Sequence, residues 1–374
     1  MDSSPSVYRS VHFLQDFKQN KSLILLSILV ILRSVPKTTL KPIQVWISEW
    51  LSKSGLSTDF SVSLLLGDGS TRSFYRVSTS KKNFILISDP QWIQTQDYPA
   101  HQKFLIDLKI PVPEFYIADP ENGFLLMQDL GDELLQHRIS KNPDQKLIWL
   151  KKSATLLAEL HGETFPVPTS VPVTTRFFDT EKYLAEFQFT FEHLSQKLLN
   201  QPKLSESQIS ALKTFCNSIS SFQPLVFTHR DYHCRNLLVF NEHLVMIDFQ
   251  DARMGPPHYD LASLIYDAYV PLNDTERKEI LNIYQDRLSQ FPVSKQIHWP
   301  SFERELKAIA FQRTVKAAGS FASFFIRFGK TTHWPYLIPA LTSAQRLQAE
   351  GFGVNPQVIN LENWITLISQ IKIE

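Results

Sequence analysis

FTHRDYHCRNLLVFNEHLVMIDFQDARMGPPHYDLASLIYDAY, residues 227–269, carries the residues on which the reading of this chain depends. Leu225–Thr228 is a short apolar approach to a loop holding His229, Arg230 and Asp231. Asn236 opens the apolar run Leu237–Phe240, Asn241-Glu242-His243 supplies a turn, and Leu244–Ile247 returns to Asp248. Two apolar runs around a polar turn read as a β-hairpin. Such a hairpin sets Asn236 and Asp248 side by side, with Asp231 opposite. Hard oxygen donors suit Mg2+, which keeps several waters and completes its shell from phosphate oxygens. Asp231 is then free to accept a hydroxyl proton and orient a nucleophile. Any one of the three alone would be turn decoration; together at these spacings they read as a phosphoryl-transfer site.

Upstream, SVSLLLGDGSTRSFYRVST is two apolar runs joined by a turn of Gly and small polar residues, a hairpin signal. Small residues at Gly67, Gly69 and Ser70, in a turn that also holds Asp68 and Thr71, would let backbone N–H groups approach phosphate oxygens, and Arg72 could supply charge. A helix is expected over Pro42–Ser54, from Ile43, Trp46, Ile47, Trp50 and Leu51 at helical spacing. Strands are expected at Asn83–Ser88, Phe115–Ala118 and Phe124–Met127, with a helix over Ala100–Leu108 between them. The polar connector that follows, Gln128, Asp129, Leu130 and Gly131, suits a purine ring held by backbone groups between apolar side chains. From Glu133 the pattern turns helical, with helices expected over Gln145–His161, Thr180–Leu199, Ser205–Ser221 and Lys307–Phe328. His161, the aromatic stretch Phe177–Phe191, and Trp299, Trp334 and Tyr336 read as core or helix-end residues rather than ligands.

Composition narrows the class. The chain has 374 residues, 43% hydrophobic and 20% charged, which is globular and long for one ordinary core. Lys and Arg total 38 against 37 Asp and Glu, a net charge of +1, so no broad basic field points to nucleic acid and a small-molecule substrate fits better. Cys216 and Cys234 stand outside any metal-ligand spacing and read as free thiols of a reducing, cytoplasmic compartment. Leu23–Leu32 is apolar between Lys21 and Arg33, but falls short of the about 20 residues a span needs. No stable membrane span is expected, and residues 1–40 read as an extension outside the core fold, with a membrane-associating helix or a signal segment as the alternatives.

Taken together, GDGSTRSFYRV (67–77), GFLLMQDLGD (123–132), THRDYHCRNLL (228–238) and IDFQDARMGPPHYDLASLIYDAY (247–269) resemble the aminoglycoside phosphotransferase-like kinases. Within these they look most like the bacterial anomeric N-acetylmuramate/N-acetylglucosamine kinases of peptidoglycan recycling. The resemblance covers roughly residues 43–350. It implies an α+β, protein-kinase-like bilobal fold with a small antiparallel β-sheet N-lobe at 41–127, a hinge at 128–131 and a larger, mainly helical C-lobe at 132–374. It further implies ATP and Mg2+ as cofactors, Asp231 as catalytic base, Asn236 and Asp248 as metal ligands, Gly67–Arg72 as the phosphate loop, and Met127–Leu130 as the adenine hinge. Asp260 and His229 would brace the catalytic loop. Asp251 and Arg253 lie where a substrate hydroxyl or carboxylate would arrive, or form a salt bridge instead. One departure is plain: NFILIS has Ile87 or Ser88 where the wider kinases carry a phosphate-binding lysine, which leaves Arg72 or Arg76 to supply the charge. The anomeric sugar kinases also lack that lysine.

The expected activity is transfer of a γ-phosphoryl group to a sugar hydroxyl. The rival readings are a kinase of an aminoglycoside, choline, homoserine or another small alcohol, and a catalytically weak nucleotide-binding regulator. Oligomeric state is left open.

Overall fold

The computed structural model describes residues 37–65, 72–92 and 96–373. The apolar segment Leu23–Leu32 and the turn Gly67–Thr71 lie outside them. Of the described residues, 37–63 with 77–83 belong to one compact unit, and those of 64–76 and from 84 onward to another.

In the first unit, helix α1 (Lys37–Lys53) buries Ile43, Ile47 and Leu51, one residue per helical turn. The sequence signal opened this helix at Pro42, where the helical spacing of apolar residues begins. In the structure the helix already runs through the residues before it. The turn after Thr79 is closed locally: Thr79 N donates to Lys82 O at 3.2 Å, and Thr79 Oγ1 accepts from Lys82 N at 3.1 Å.

The strands β1 (Phe60–Leu65), β2 (Ser73–Thr79), β3 (Asn83–Ser88), β4 (Phe115–Asp119) and β5 (Phe124–Gln128) form a five-stranded antiparallel sheet in the order β1-β2-β3-β5-β4. In the second unit, β3 and β5 pair in the register Ile85 with Met127 and Ile87 with Leu125. Helix α2 (Tyr98–Asp107) is inserted between β3 and β4. The strand positions follow the β-branched and aromatic runs of the sequence closely.

The helical region begins with α3 (Leu135–Lys141) and α4 (Lys146–Glu163). Next comes α5 (Thr180–Thr190), which continues as a π-helix over Phe191–Leu198 instead of the single helix expected. Helices α6 (Glu206–Ser220) and α8 (Asp274–Leu288) open on capping boxes, Ser205 with Gln208 and Asn273 with Glu276. Between them lie β6 (Val226–Thr228), the hairpin β7 (Leu237–Phe240) and β8 (His243–Met246), then β9 (Arg253–Gly255) and α7 (His258–Ile265). The hairpin pairs Leu237 with Met246 and Phe240 with His243, as its apolar runs predict.

Helix α9 (Trp299–Phe328) has Pro300 in its first turn and ends at Gly329 in the left-handed region, φ 63°. It packs against α5, α7 and α10 (Leu337–Ala349), and α11 (Leu361–Ser369) packs on α10. Gly319 lets α9 approach α5: a Cβ there would lie 2.2 Å from Thr190 Oγ1 and 2.7 Å from Thr190 Cα. Only a residue without a side chain fits that crossing. One large core, including Phe187, Phe227, Tyr259, Phe302 and Phe311, runs beneath the hairpin and these helices. Trp299, Trp334 and Tyr336 pack against it, as the sequence suggested.

Candidate active site

The loop after β6 is held in an uncommon backbone conformation by a buried carboxylate. Arg230 has φ 81° and Asp248 φ 66°, values that side-chain-bearing residues adopt only where the surroundings hold them. Asp260, fully buried in α7, accepts from the backbone N–H of His229 at 2.6 Å and of Arg230 at 2.9 Å. Its Oδ2 also lies 3.3 Å from His161 Nε2, and His161 Nδ1 is 2.8 Å from the Tyr284 hydroxyl. His161 is therefore a core residue that helps hold the brace. His229 ties the loop to the hairpin: Nε2 lies 2.8 Å from Ile247 O, while Nδ1 accepts from Asp231 N at 3.3 Å. Those two partners suit the neutral ring protonated on Nε2.

Asn236 and Asp248 are brought together by the same hairpin. Ile247 N donates to Asn236 O at 3.0 Å, and Asn236 Nδ2 donates to Asp231 O at 2.9 Å. The Asp248 carboxylate, 42% exposed, accepts from Arg72 Nη2 at 3.1 Å and Gln250 Nε2 at 2.8 Å. Asp231, Asn236 and Asp248 all line a cavity of about 880 Å³. Met127, Gln128 and Leu130 line it as well, together with Ile85 and Ile87 from β3.

Arg72 reaches this cavity, but Arg76 does not line it. The Arg76 guanidinium is forked between Asp129 at 2.6 Å and Asp132 at 2.8 Å, which fastens β2 to the connector and uses the charge there. Asp251 and Arg253 do not line the cavity either. Asp251 takes the salt-bridge alternative, 3.2 Å from Arg230 Nη1. Burial pushes the Cys216 thiol up to about 12 and the Cys234 thiol well above its usual range, so neither is a nucleophile at neutral pH.

The other wall of the cavity comes from α9, and sequence reading passed over it. Arg313, Lys316, Ser320, Phe324 and Arg327 follow one another at three- and four-residue spacings and line the cavity. Lys316 Nζ lies 2.6 Å, and Arg313 Nη2 3.2 Å, from Asp231 Oδ1. Arg313 Nε donates to the Ser263 hydroxyl at 2.8 Å, which fixes the fork. Burial alone would push the Asp231 carboxyl up, but Lys316, Arg313 and Arg230 hold it well below the usual carboxylate range. Arg313 and Lys316, three residues apart in a run that reads as helical packing, were the available signal.

Among the described residues no group of three or more His, Cys, Asp or Glu is placed to hold a metal. Asn236 and Asp248 offer one amide oxygen and one exposed carboxylate at the cavity wall. That pair fits an ion that keeps waters and shares the oxygens of a bound phosphate.

A five-stranded antiparallel sheet followed by a mostly helical remainder, with a braced loop aspartate and an Asn/Asp pair lining one cavity, is the protein-kinase-like fold. The chain belongs to the phosphotransferase enzyme family, whose pattern matches residues 62–292, and it is a kinase acting on an alcohol or sugar acceptor. It is 26% identical to the N-acetylmuramate/N-acetylglucosamine kinase of Neisseria meningitidis serogroup B over 315 residues, covering 81% of this chain and 90% of that protein. Among solved structures it is similar to choline kinase from Cryptosporidium parvum Iowa II, with a TM-score of 0.57 and 12% identity over 86% of this chain and 99% of that one. It is also similar to an ADP-bound aminoglycoside phosphotransferase, with a TM-score of 0.52 and 17% identity over 82% and 98%. Among the described residues, no helix is long and apolar enough to cross a membrane.

Proposed function

We propose that the protein transfers the γ-phosphoryl group of ATP to the anomeric hydroxyl of N-acetylmuramate or N-acetylglucosamine, with Mg2+, in the cytoplasmic recycling of peptidoglycan. The observation that carries this reading is the excess of cations lining the cavity that holds Asp231. Arg72, Arg230, Arg235, Arg313, Lys316 and Arg327 line the cavity against Asp132, Asp231, Asp248 and Asp267, an excess of cations. A cationic aminoglycoside or choline would meet repulsion there, whereas the carboxylate of N-acetylmuramate would be drawn in. The relative from Neisseria meningitidis bears the matching name.

In this reading Met127, Gln128 and Leu130 bind the adenine ring, and Arg72, with the turn Gly67–Thr71, faces the phosphates. Asn236 and Asp248 hold Mg2+, which would neutralise charge on the transferring group. Asp231 orients the acceptor hydroxyl and takes its proton as the new bond forms. A loose phosphoryl-transfer transition state leaves positioning and charge neutralisation as the main work of the protein. His229 and Asp260 contribute by holding Asp231 where it is, and Asp251 and Arg253 serve as structural neighbours.

Incubation with ATP, Mg2+ and a panel of sugars, followed by phosphorus NMR of the product, tests the reading. An anomeric phosphate is expected. A 6-phosphate, or turnover confined to choline or an aminoglycoside, would overturn the acceptor assignment. Stabilisation by ATP with no acceptor phosphorylated would point to a nucleotide-binding regulator.

A further inference from the structure

The two cations on Asp231 share one oxygen. Lys316 Nζ and Arg313 Nη2 both contact Oδ1, at 2.6 and 3.2 Å. Among the described residues, no donor engages Oδ2, although the side chain is only 27% exposed and the residue lines the cavity. A carboxylate tied through one oxygen cannot rotate freely, and its second oxygen keeps a fixed aim.

We propose that Lys316 is the positioning residue of Asp231: by holding Oδ1 it fixes the carboxylate so that Oδ2 is presented to the acceptor hydroxyl. This rests on the functional reading above, in which Asp231 receives that hydroxyl. The cation comes from α9, far along the chain from the loop it serves, and no lysine on β3 is involved. Arg313 is the weaker partner, because its contact is longer and its Nε is committed to Ser263.

The surroundings confine the ammonium to this role. Asp231, Arg230 and His233 face it from the catalytic loop, Arg313 from α9 itself and Glu186 from α5. Burial pushes the Lys316 ammonium down to about 8, with Asp231 drawing it back up against Arg313 and Arg230. The charge that holds Oδ1 is thus present at neutral pH and lost as pH rises through about 8.

The test is steady-state kinetics of the full chain and of Lys316→Met and Lys316→Arg, with N-acetylglucosamine as acceptor, together with calorimetric titration of a non-hydrolysable ATP analogue. Lys316→Met is expected to lower kcat by about 10²-fold while KM for ATP and affinity for the analogue stay within about threefold. Lys316→Arg should recover most of kcat. It should also move the alkaline limb of the kcat/KM profile from near 8 to higher pH, because the guanidinium does not titrate there. A merely structural lysine would not move that limb. An unchanged kcat in Lys316→Met, or an alkaline limb that stays near 8 in Lys316→Arg, would overturn the proposal while leaving the kinase reading intact. If Lys316→Met does not fold, the arginine variant decides alone. Absence of turnover in the unaltered protein overturns both.

Discussion

The loop at 229–236 and the cationic face of α9 act on the same carboxylate but are built differently. The loop is assembled from close neighbours in sequence, plus the buried Asp260 of α7 that bonds the backbone of His229 and Arg230. Helix α9 reaches Asp231 only because the long helix crosses α5 at Gly319 and so presents Arg313 and Lys316 to the cavity. The first arrangement writes its chemistry into residue spacing. The second writes it into packing, and a change in either should fail in its own way.

The largest effect should come where the two meet. Asp231→Asn keeps the shape of the side chain but removes the proton acceptor and the charge that Lys316 and Arg313 neutralise. Acceptor-dependent ATP consumption should fall by roughly 10²- to 10⁴-fold. Because two buried cations lose their partner, a stability loss should accompany it. A variant with near-normal turnover would show that Asp231 plays no part in proton transfer or positioning.

Asp260→Ala separates the brace from the chemistry. It strips the acceptor from two backbone donors and from His161 at a fully buried position. Each unsatisfied buried group costs about 1–3 kcal/mol, so urea unfolding should show a loss of about 3 kcal/mol or more. Activity should fall as well, because Arg230 at φ 81° has nothing else holding it so firmly. A stable variant that is nonetheless inactive would instead make Asp260 part of the chemistry.

Gly319→Ala tests the packing route. The added methyl meets both the hydroxyl and the backbone of Thr190, so the crossing must open. Overpacking of this kind costs about 1–3 kcal/mol. The sharper expectation is kinetic: kcat should drop while nucleotide binding is preserved, since the shift moves Lys316 and Arg313 but leaves Met127, Gln128 and Asn236 in place. Equal losses in kcat and nucleotide affinity would mean the helix crossing supports the whole cavity.

These differences explain what was legible beforehand. Asn236 and Asp248 could be placed together from sequence because hairpin geometry is local, and the register Leu237 with Met246 follows from the two apolar runs. The sheet region was legible for the same reason. Arg313 and Lys316 were not, because helical spacing gives a face but not what the face meets. Of the two arginines offered for phosphate charge, Arg76 is paired with Asp129 and Asp132, a convergence that nothing in the spacing shows.

The smallest effect should come from Asp251→Ala, which probes how far the readable motif extends. Asp251 sits three residues past Asp248 in a run that resembles the amino-sugar kinases, yet it does not line the cavity. Its carboxylate is 45% exposed and pairs with Arg230 at 3.2 Å. Exposed pairs of this kind contribute at most about 1 kcal/mol, so the melting temperature should barely change and kcat/KM should stay within about threefold. Arg230 would still be fixed through its backbone by Asp260 and would keep Glu186 at 3.8 Å. A tenfold rise in acceptor KM with kcat unchanged would place Asp251 on the acceptor after all, and would make the run after Asp248 a second region whose chemistry is written in spacing.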